Sequence, residues 1–220
     1  SFSNFVPEHK NIRFGLLAIK NVGANLVDAI IEERHRSGPF QDFPDFLRRV
    51  THKDLNKKSL ESLIKVGVFD SLDKDRSALL SNIEHIVSFV QAMRKSQASV
   101  QSSLFGNSYD KPNFLKNTNS GPSDKSSNPE KLFWEKELMG LYLSGHPLDR
   151  YHEKLAHSRA TPIKTLRIKS RAGNGNDCRI VGVESRIVRI VSKQGKPIVF
   201  AQIEDLNDSM EVVIFSDTLE

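Results

Sequence analysis

Residues 19 to 31 read IKNVGANLVDAII, and their types suit one chemistry, holding a phosphate without reading what it is attached to. A turn that sets two residues of unusual backbone conformation around an apolar one, and then opens a helix, leaves free amides aimed at an anion. Val22 is the apolar residue and Gly23 the second special position. Asn21 stands at the first, where Gly is usual, and Asn is the residue that best tolerates positive φ after Gly. Lys20 and Arg13, with Lys10 nearby, add counter-charge, and such contacts are blind to base sequence. An ordinary αα-turn with Gly at its bend fits the same residues.

Two further groups could carry binding chemistry. In QSSLF, residues 101 to 105, Gln101 offers an amide for hydrogen bonds, while Leu104 and Phe105 form an apolar pair suited to a partner's pocket. Folding of that pair back onto nearby helices is the competing reading. Toward the C-terminus, Arg186 and Arg189 precede a loop carrying Lys193 and Lys196, and Phe200 follows on the next strand. Cations on a loop beside an aromatic platform suit single-stranded nucleic acid. Alternation sends Val199, Ala201 and Ile203 to one face and Ile198, Phe200 and Gln202 to the other. Both faces carry apolar residues, so Phe200 packing under a helix stays open.

The elements that position these groups follow from periodicity. From about Arg13 to Lys95, apolar residues recur at helical spacing: Leu26, Val27, Ile30 and Ile31, then Leu60, Leu63 and Ile64, then Leu79, Leu80, Ile83, Ile86, Val87 and Val90. Ser37-Gly38-Pro39 ends the first stripe. A second helix pair, joined through Val66-Gly67-Val68-Phe69-Asp70, reads as scaffold. Residues 96 to 129 shift to Ser, Asn, Lys, Gly and Pro, too polar to offset chain entropy, and are expected to be a flexible linker. PEKLFWEKELMGLYLSGHPL then predicts a short helix with Phe133, Trp134, Leu138, Leu141 and Tyr142 on its apolar side. From Asp177 the period is that of strands: CRIVGVESRIVRIV, the turn SKQGK, PIVFAQIED, the turn LNDS, and MEVVIF. These predict an antiparallel meander.

Composition narrows the function classes. The chain has 220 residues and a formal net charge of +5, with 27 acidic residues interspersed among the basic ones, which permits a nucleic-acid partner without requiring one. The single Cys, Cys178, forms no internal disulfide and has no metal-ligand neighbours. No membrane span or signal peptide is legible, so a cytoplasmic location is expected. The acidic residues read as helix-surface groups paired with Lys and Arg, Asp205 and Asp208 as turn caps, and the seven His residues lack metal-ligand spacing. No catalytic or metal site emerges. A first residue of Ser and a last strand ending just before Glu220 lead to the expectation of a piece of a longer chain.

Taken in order, IRFGLLAIKNVG, SGPFQDFPDFLRRV, LIKVGVFDSL, QSSLFG, WEKELMGLYLSGHPL and PIVFAQIEDLNDSMEVVIF resemble the C-terminal half of the bacterial DNA polymerase III alpha subunit family. The resemblance implies a helix-hairpin-helix that holds duplex DNA, at Arg13, Lys20, Asn21, Val22 and Gly23. It also implies an internal sliding-clamp (beta subunit) motif at Gln101, Leu104 and Phe105, and the junction Ser144-Gly145-His146-Pro147-Leu148 into an OB domain. Arg186, Lys193, Lys196 and Phe200 would face single-stranded DNA there. The family is a DNA-directed DNA polymerase, a nucleotidyltransferase of DNA replication using Mg²⁺. Its palm carboxylates would precede Ser1, so no catalytic residue, cofactor or metal is assigned here.

The expectation is an α+β chain: a helical DNA-binding region over residues 1–95, a linker over 96–129 with the clamp motif at 101–105, a connecting helix and SGHPL junction over 130–160, and a truncated OB-fold over 161–220. Its expected role is non-catalytic, binding DNA and docking on the clamp beside other replicase subunits. The alternative is a helical protein–protein scaffold with a flexible tail and no DNA role.

Overall fold

The first predicted stripe becomes α1 (Ala24–Ser37), where Leu26 and Val27 are fully buried and Ile30 nearly so. The computed structural model describes residues 3–9, 11–72, 76–98, 129–170 and 177–219; they fall into two units, Ser1–Ser144 and Gly145–Glu220. In the first unit a short hairpin, β1 (Val6–Glu8) with β2 (Asn11–Arg13), leads into a single 3-10 turn at Leu16–Ala18 and then α1. A short helix that no apolar stripe announces follows, α2 (Phe43–Arg49). Asp42 accepts the Asp45 amide at its start, and seven residues make too few turns for a legible stripe.

The second stripe is α3 (Lys57–Lys65), begun by a reciprocal cap between Asn56 and Ser59. The third divides at Asn82 into α4 (Arg76–Ser81) and α5 (Ile83–Ala98). Phe69 packs edge-to-face on both Phe43 and Phe46 with ring centroids 4.8 Å apart, which joins the α3–α4 turn to α2. In that turn Gly67 has φ +79°, and a Cβ there would lie 2.1 Å from the Arg76 guanidinium. Only glycine leaves room for it. Arg76 donates to the Lys65 carbonyl and to Asp70, so the turn is filled by the protein's own cation.

The helix predicted from PEKLFWEKELMGLYLSGHPL is α6 (Pro129–Met139), and it buries only part of the predicted side. Leu132, Glu135 and Leu138 are buried, while Phe133 is 64% exposed. Counting apolar residues overlooks a carboxylate in the buried stripe. Glu135 lies only 1% exposed because its Oε2 accepts the Leu143 and Ser144 amides at 2.7 and 2.9 Å, with Arg76 at 3.7 Å from Oε1. α6 belongs to the same unit as α1 to α5.

The second unit carries α7 (His152–His157), α8 (Ile163–Ser170) and the antiparallel meander β3 (Val183–Val191), β4 (Pro197–Glu204) and β5 (Ser209–Phe215). The first strand is shorter than predicted, because Val183 already stands opposite Glu204, the last residue of β4. Val199 and Ala201 are buried as alternation requires, and Ile203 only partly. Asp205 accepts the Asn207 and Asp208 amides at 2.8 Å and the Ile163 amide at 2.7 Å, so it closes the β4–β5 turn and begins α8 together. Among the described residues no helix is long and apolar enough to cross a membrane.

Candidate nucleic-acid interface

The hairpin runs from the 3-10 turn through Lys20-Asn21-Val22-Gly23 into α1. Ile19 and Val22 are buried, and the Val22 amide donates to the Ile19 carbonyl at 3.2 Å. Asn21 has φ +68°, as its type predicted. Gly23 departs from expectation: its φ of −79° and ψ of 157° are ordinary extended backbone. A Cβ built on it meets nothing within 4 Å. The hairpin therefore has one left-handed residue rather than two, because a helix N-cap takes extended geometry whatever its side chain.

The open space at Gly23 faces unused donors. No side chain caps α1, and the Gly23 carbonyl accepts from Leu26 and Val27. The amides of Gly23, Ala24 and Asn25 make no hydrogen bond among the described residues, and all three residues are exposed. The start of a fourteen-residue helix is thus left with free N–H groups and the positive end of its dipole.

Two other elements hold this loop in place. The Asn21 Nδ2 donates to the Ser62 hydroxyl of α3 at 3.0 Å, and the Lys20 amide donates to the Leu138 carbonyl of α6 at 2.9 Å. The far end of α1 is fastened by Arg49, which donates to Glu33 at 3.0 Å, to Asp45 at 3.0 Å and to the Gly38 carbonyl at 2.8 Å. Burial opposes ionisation of Glu33, but hydrogen bonds from Arg49 and Ser37 and the nearby charges of Arg36 and Arg49 hold its carboxyl below the usual range. Burial likewise opposes ionisation of Asp45, and the Gln41 amide and Arg49 lower it. The sequence reads most acidic residues as surface groups, and Glu33 and Glu135 are exceptions, both buried. Only the spacing of Glu33 before Arg36 hinted at a pair; Arg49 comes from another helix.

The predicted cations divide by their surroundings. Arg13 is paired in two hydrogen bonds with Glu8, at 2.8 and 2.9 Å. Lys20 is exposed and makes no ion pair among the described residues. In the second unit, Lys193 and Lys196 lie on the β3–β4 turn, with Lys196 3.8 Å from Asp217. Arg186 stands opposite Gln202 and Val188 opposite Phe200, so Arg186 and Phe200 share a face; Phe200 is half-buried. Gln101, Leu104 and Phe105 lie outside the described residues, as does Lys10.

The helix-hairpin-helix motif profile matches residues 1–79. DNA polymerase III subunit alpha of Borreliella burgdorferi is 35% identical over 221 residues, covering 100% of this chain and 19% of its own length. The protein of the same name from Mycobacterium tuberculosis strain H37Rv is 37% identical over 220 residues, covering 98% of this chain and 18% of its own. That of Mycobacterium leprae is 37% identical over 218 residues, covering 99% and 18%. The chain thus spans about a fifth of the length of the curated relatives it matches.

Proposed function

This chain is a homologue of one segment of the bacterial DNA polymerase III alpha subunit, and from that premise we propose that it grips DNA by the backbone and tethers a sliding clamp during replication. The observation that carries the proposal is the uncapped start of α1, where the amides of Gly23, Ala24 and Asn25 are exposed beside left-handed Asn21. A phosphate seated there gains several charge-assisted hydrogen bonds with no base contact. Lys20 supplies the adjoining charge. Grip without sequence preference suits a machine that must travel along its template.

The clamp contact is assigned to Gln101, Leu104 and Phe105. The helices on either side of that segment, α5 and α6, belong to the same unit as the hairpin. A clamp bound through that segment is tethered to the chain that holds duplex at α1, so a contact of micromolar strength, about −8 kcal/mol, is enough when both act on one DNA. The meander of the second unit supports the reading of a partial OB-fold. Arg186, Phe200, Lys193 and Lys196 would meet single-stranded DNA on it. Neither role makes or breaks a covalent bond, so the segment contributes processivity rather than phosphoryl transfer, and Mg²⁺ belongs to polymerase chemistry elsewhere in such proteins.

The deciding experiment is binding of labelled duplex by fluorescence anisotropy across a salt series, with Gly23→Val beside the parent chain. Because Gly23 has ordinary backbone and free space around it, valine folds there and obstructs only a ligand approaching the amides. Tenfold or greater loss of affinity in a folded variant is expected. Unchanged binding would remove the hairpin from the interface, and salt-indifferent binding would favour a protein-docking scaffold. Calorimetric titration into the clamp, with a Leu104→Ala, Phe105→Ala variant, tests the second contact separately.

A further inference from the structure

We infer that the phosphate track does not stop at the hairpin but continues onto α3, through Lys58 and Lys65. The inference rests on the DNA reading above and extends it to residues that neither the motif nor the alternation of the sequence singles out.

The hydrogen bond from Asn21 to Ser62 fixes which side of α3 borders the hairpin. At about 100° per residue, Lys58 lies about 40° and Lys65 about 60° round the helix from Ser62, both in the same direction. The opposite direction holds the buried residues Ser59, Leu63 and Val66. Ser62, 3% exposed, is therefore the last buried position before solvent, and the two lysines are the first beyond it. Residues at i−4 and i+3 place their Cβ atoms about 5–6 Å from that of Ser62. Asn21 in turn is two residues from Gly23, within about 7 Å of backbone. Free amides, Lys20 and the α3 lysines are so placed to border one another, with Glu61 lying about 40° beyond Lys65.

Charge state separates these lysines from their neighbours. Lys58 is exposed and Lys65 partly so, and neither makes an ion pair among the described residues. Lys57, on the far side of α3, is held by Glu84. Arg13 is neutralised by Glu8. A cation already paired with a carboxylate releases few counterions when it meets a phosphate; an unpaired one releases its full share.

The test measures the slope of log affinity against log salt for duplex DNA, in the whole chain. Replacing both Lys58 and Lys65 with Ala is expected to reduce the slope magnitude by about 1.8, from two phosphate contacts at about 0.9 each, while Lys57→Ala leaves it unchanged. Single substitutions should each remove about half. An unaltered slope in the double variant, with the parent chain still binding DNA, overturns this inference and leaves the hairpin reading intact. A parent chain with no salt-dependent DNA binding overturns both.

Discussion

The helical unit and the sheet unit solve burial differently. Phe43, Leu47, Leu60 and Leu63 are completely buried, whereas Ile190, Val213 and Phe215 of the meander are 43%, 40% and 60% exposed. Helices present one stripe each, and a few of them close those stripes on one another. A three-stranded sheet has two faces, and the eight-residue α8 covers only part of one. Stability and a preformed hairpin belong to the first unit; accessible apolar surface belongs to the second.

Truncation is the largest expected break in that comparison. Phe46→Ala removes a ring packed against Phe40, Phe43 and Phe69, and should cost about 3–5 kcal/mol in denaturant unfolding. Phe215→Ala should cost less than about 1 kcal/mol, since its ring is already largely in water. Equal costs would mean that the exposed face is covered in solution.

Next in size is the buried carboxyl group that holds α6. Glu135→Ala leaves the Leu143 and Ser144 amides without their acceptor and removes one of the two carboxylates beside Arg76, and should lower stability by about 3 kcal/mol. Because α6 also accepts the Lys20 amide, duplex affinity should fall in the same variant. Glu135→Gln, which keeps an oxygen acceptor, should restore much of both. A variant of full stability would show that the carboxylate is dispensable to the unit.

Acid sharpens the comparison further. Glu33 and Asp45 have folded pKa values below their ordinary ones near 4.5 and 3.8, so the stability they contribute is complete above those values and is lost as pH falls through the lowered ones. Asp205 has the same sign: burial opposes its charge, and the amides of Ile163, Asn207 and Asp208 outweigh it. Both units should therefore weaken below about pH 4. Glu33→Gln should flatten the profile of the helical unit alone, and Asp205→Asn that of the sheet unit alone, each read by circular dichroism at its own wavelength. A single profile altered by either substitution would mean that the units unfold together.

The parts legible in sequence were those fixed by short-range pattern. The stripe of α1, the left-handed Asn21 and the Asp205 turn depend on a few adjacent residues, and each appears in the structure. What escaped reading depends on partners distant in sequence. Glu135 has Arg76 of another helix beside it, the hairpin is braced by Ser62 and Leu138, and Arg49 gathers Glu33 and the end of α1. Gly23 misled for a different reason: glycine suggests positive φ, but here its missing side chain leaves space outside the backbone rather than freedom within it.

The smallest expected effect distinguishes two cations on one turn of the sheet unit. Lys193 makes no ion pair among the described residues, while Lys196 stands 3.8 Å from Asp217. If the meander's loop edges a single-strand groove, Lys193→Gln should reduce the salt slope for single-stranded DNA by about 0.7, the share of one phosphate contact. Lys196→Gln should reduce it by less, since part of its charge is already offset. The exposed pair with Asp217 is weak, so the difference between the variants should be a fraction of one contact. Equal reductions would mean that Asp217 yields Lys196 freely to DNA, and no reduction in either would detach the loop from single-strand binding. The duplex contact proposed for the hairpin, which rests on backbone amides in the other unit, would be untouched by that result.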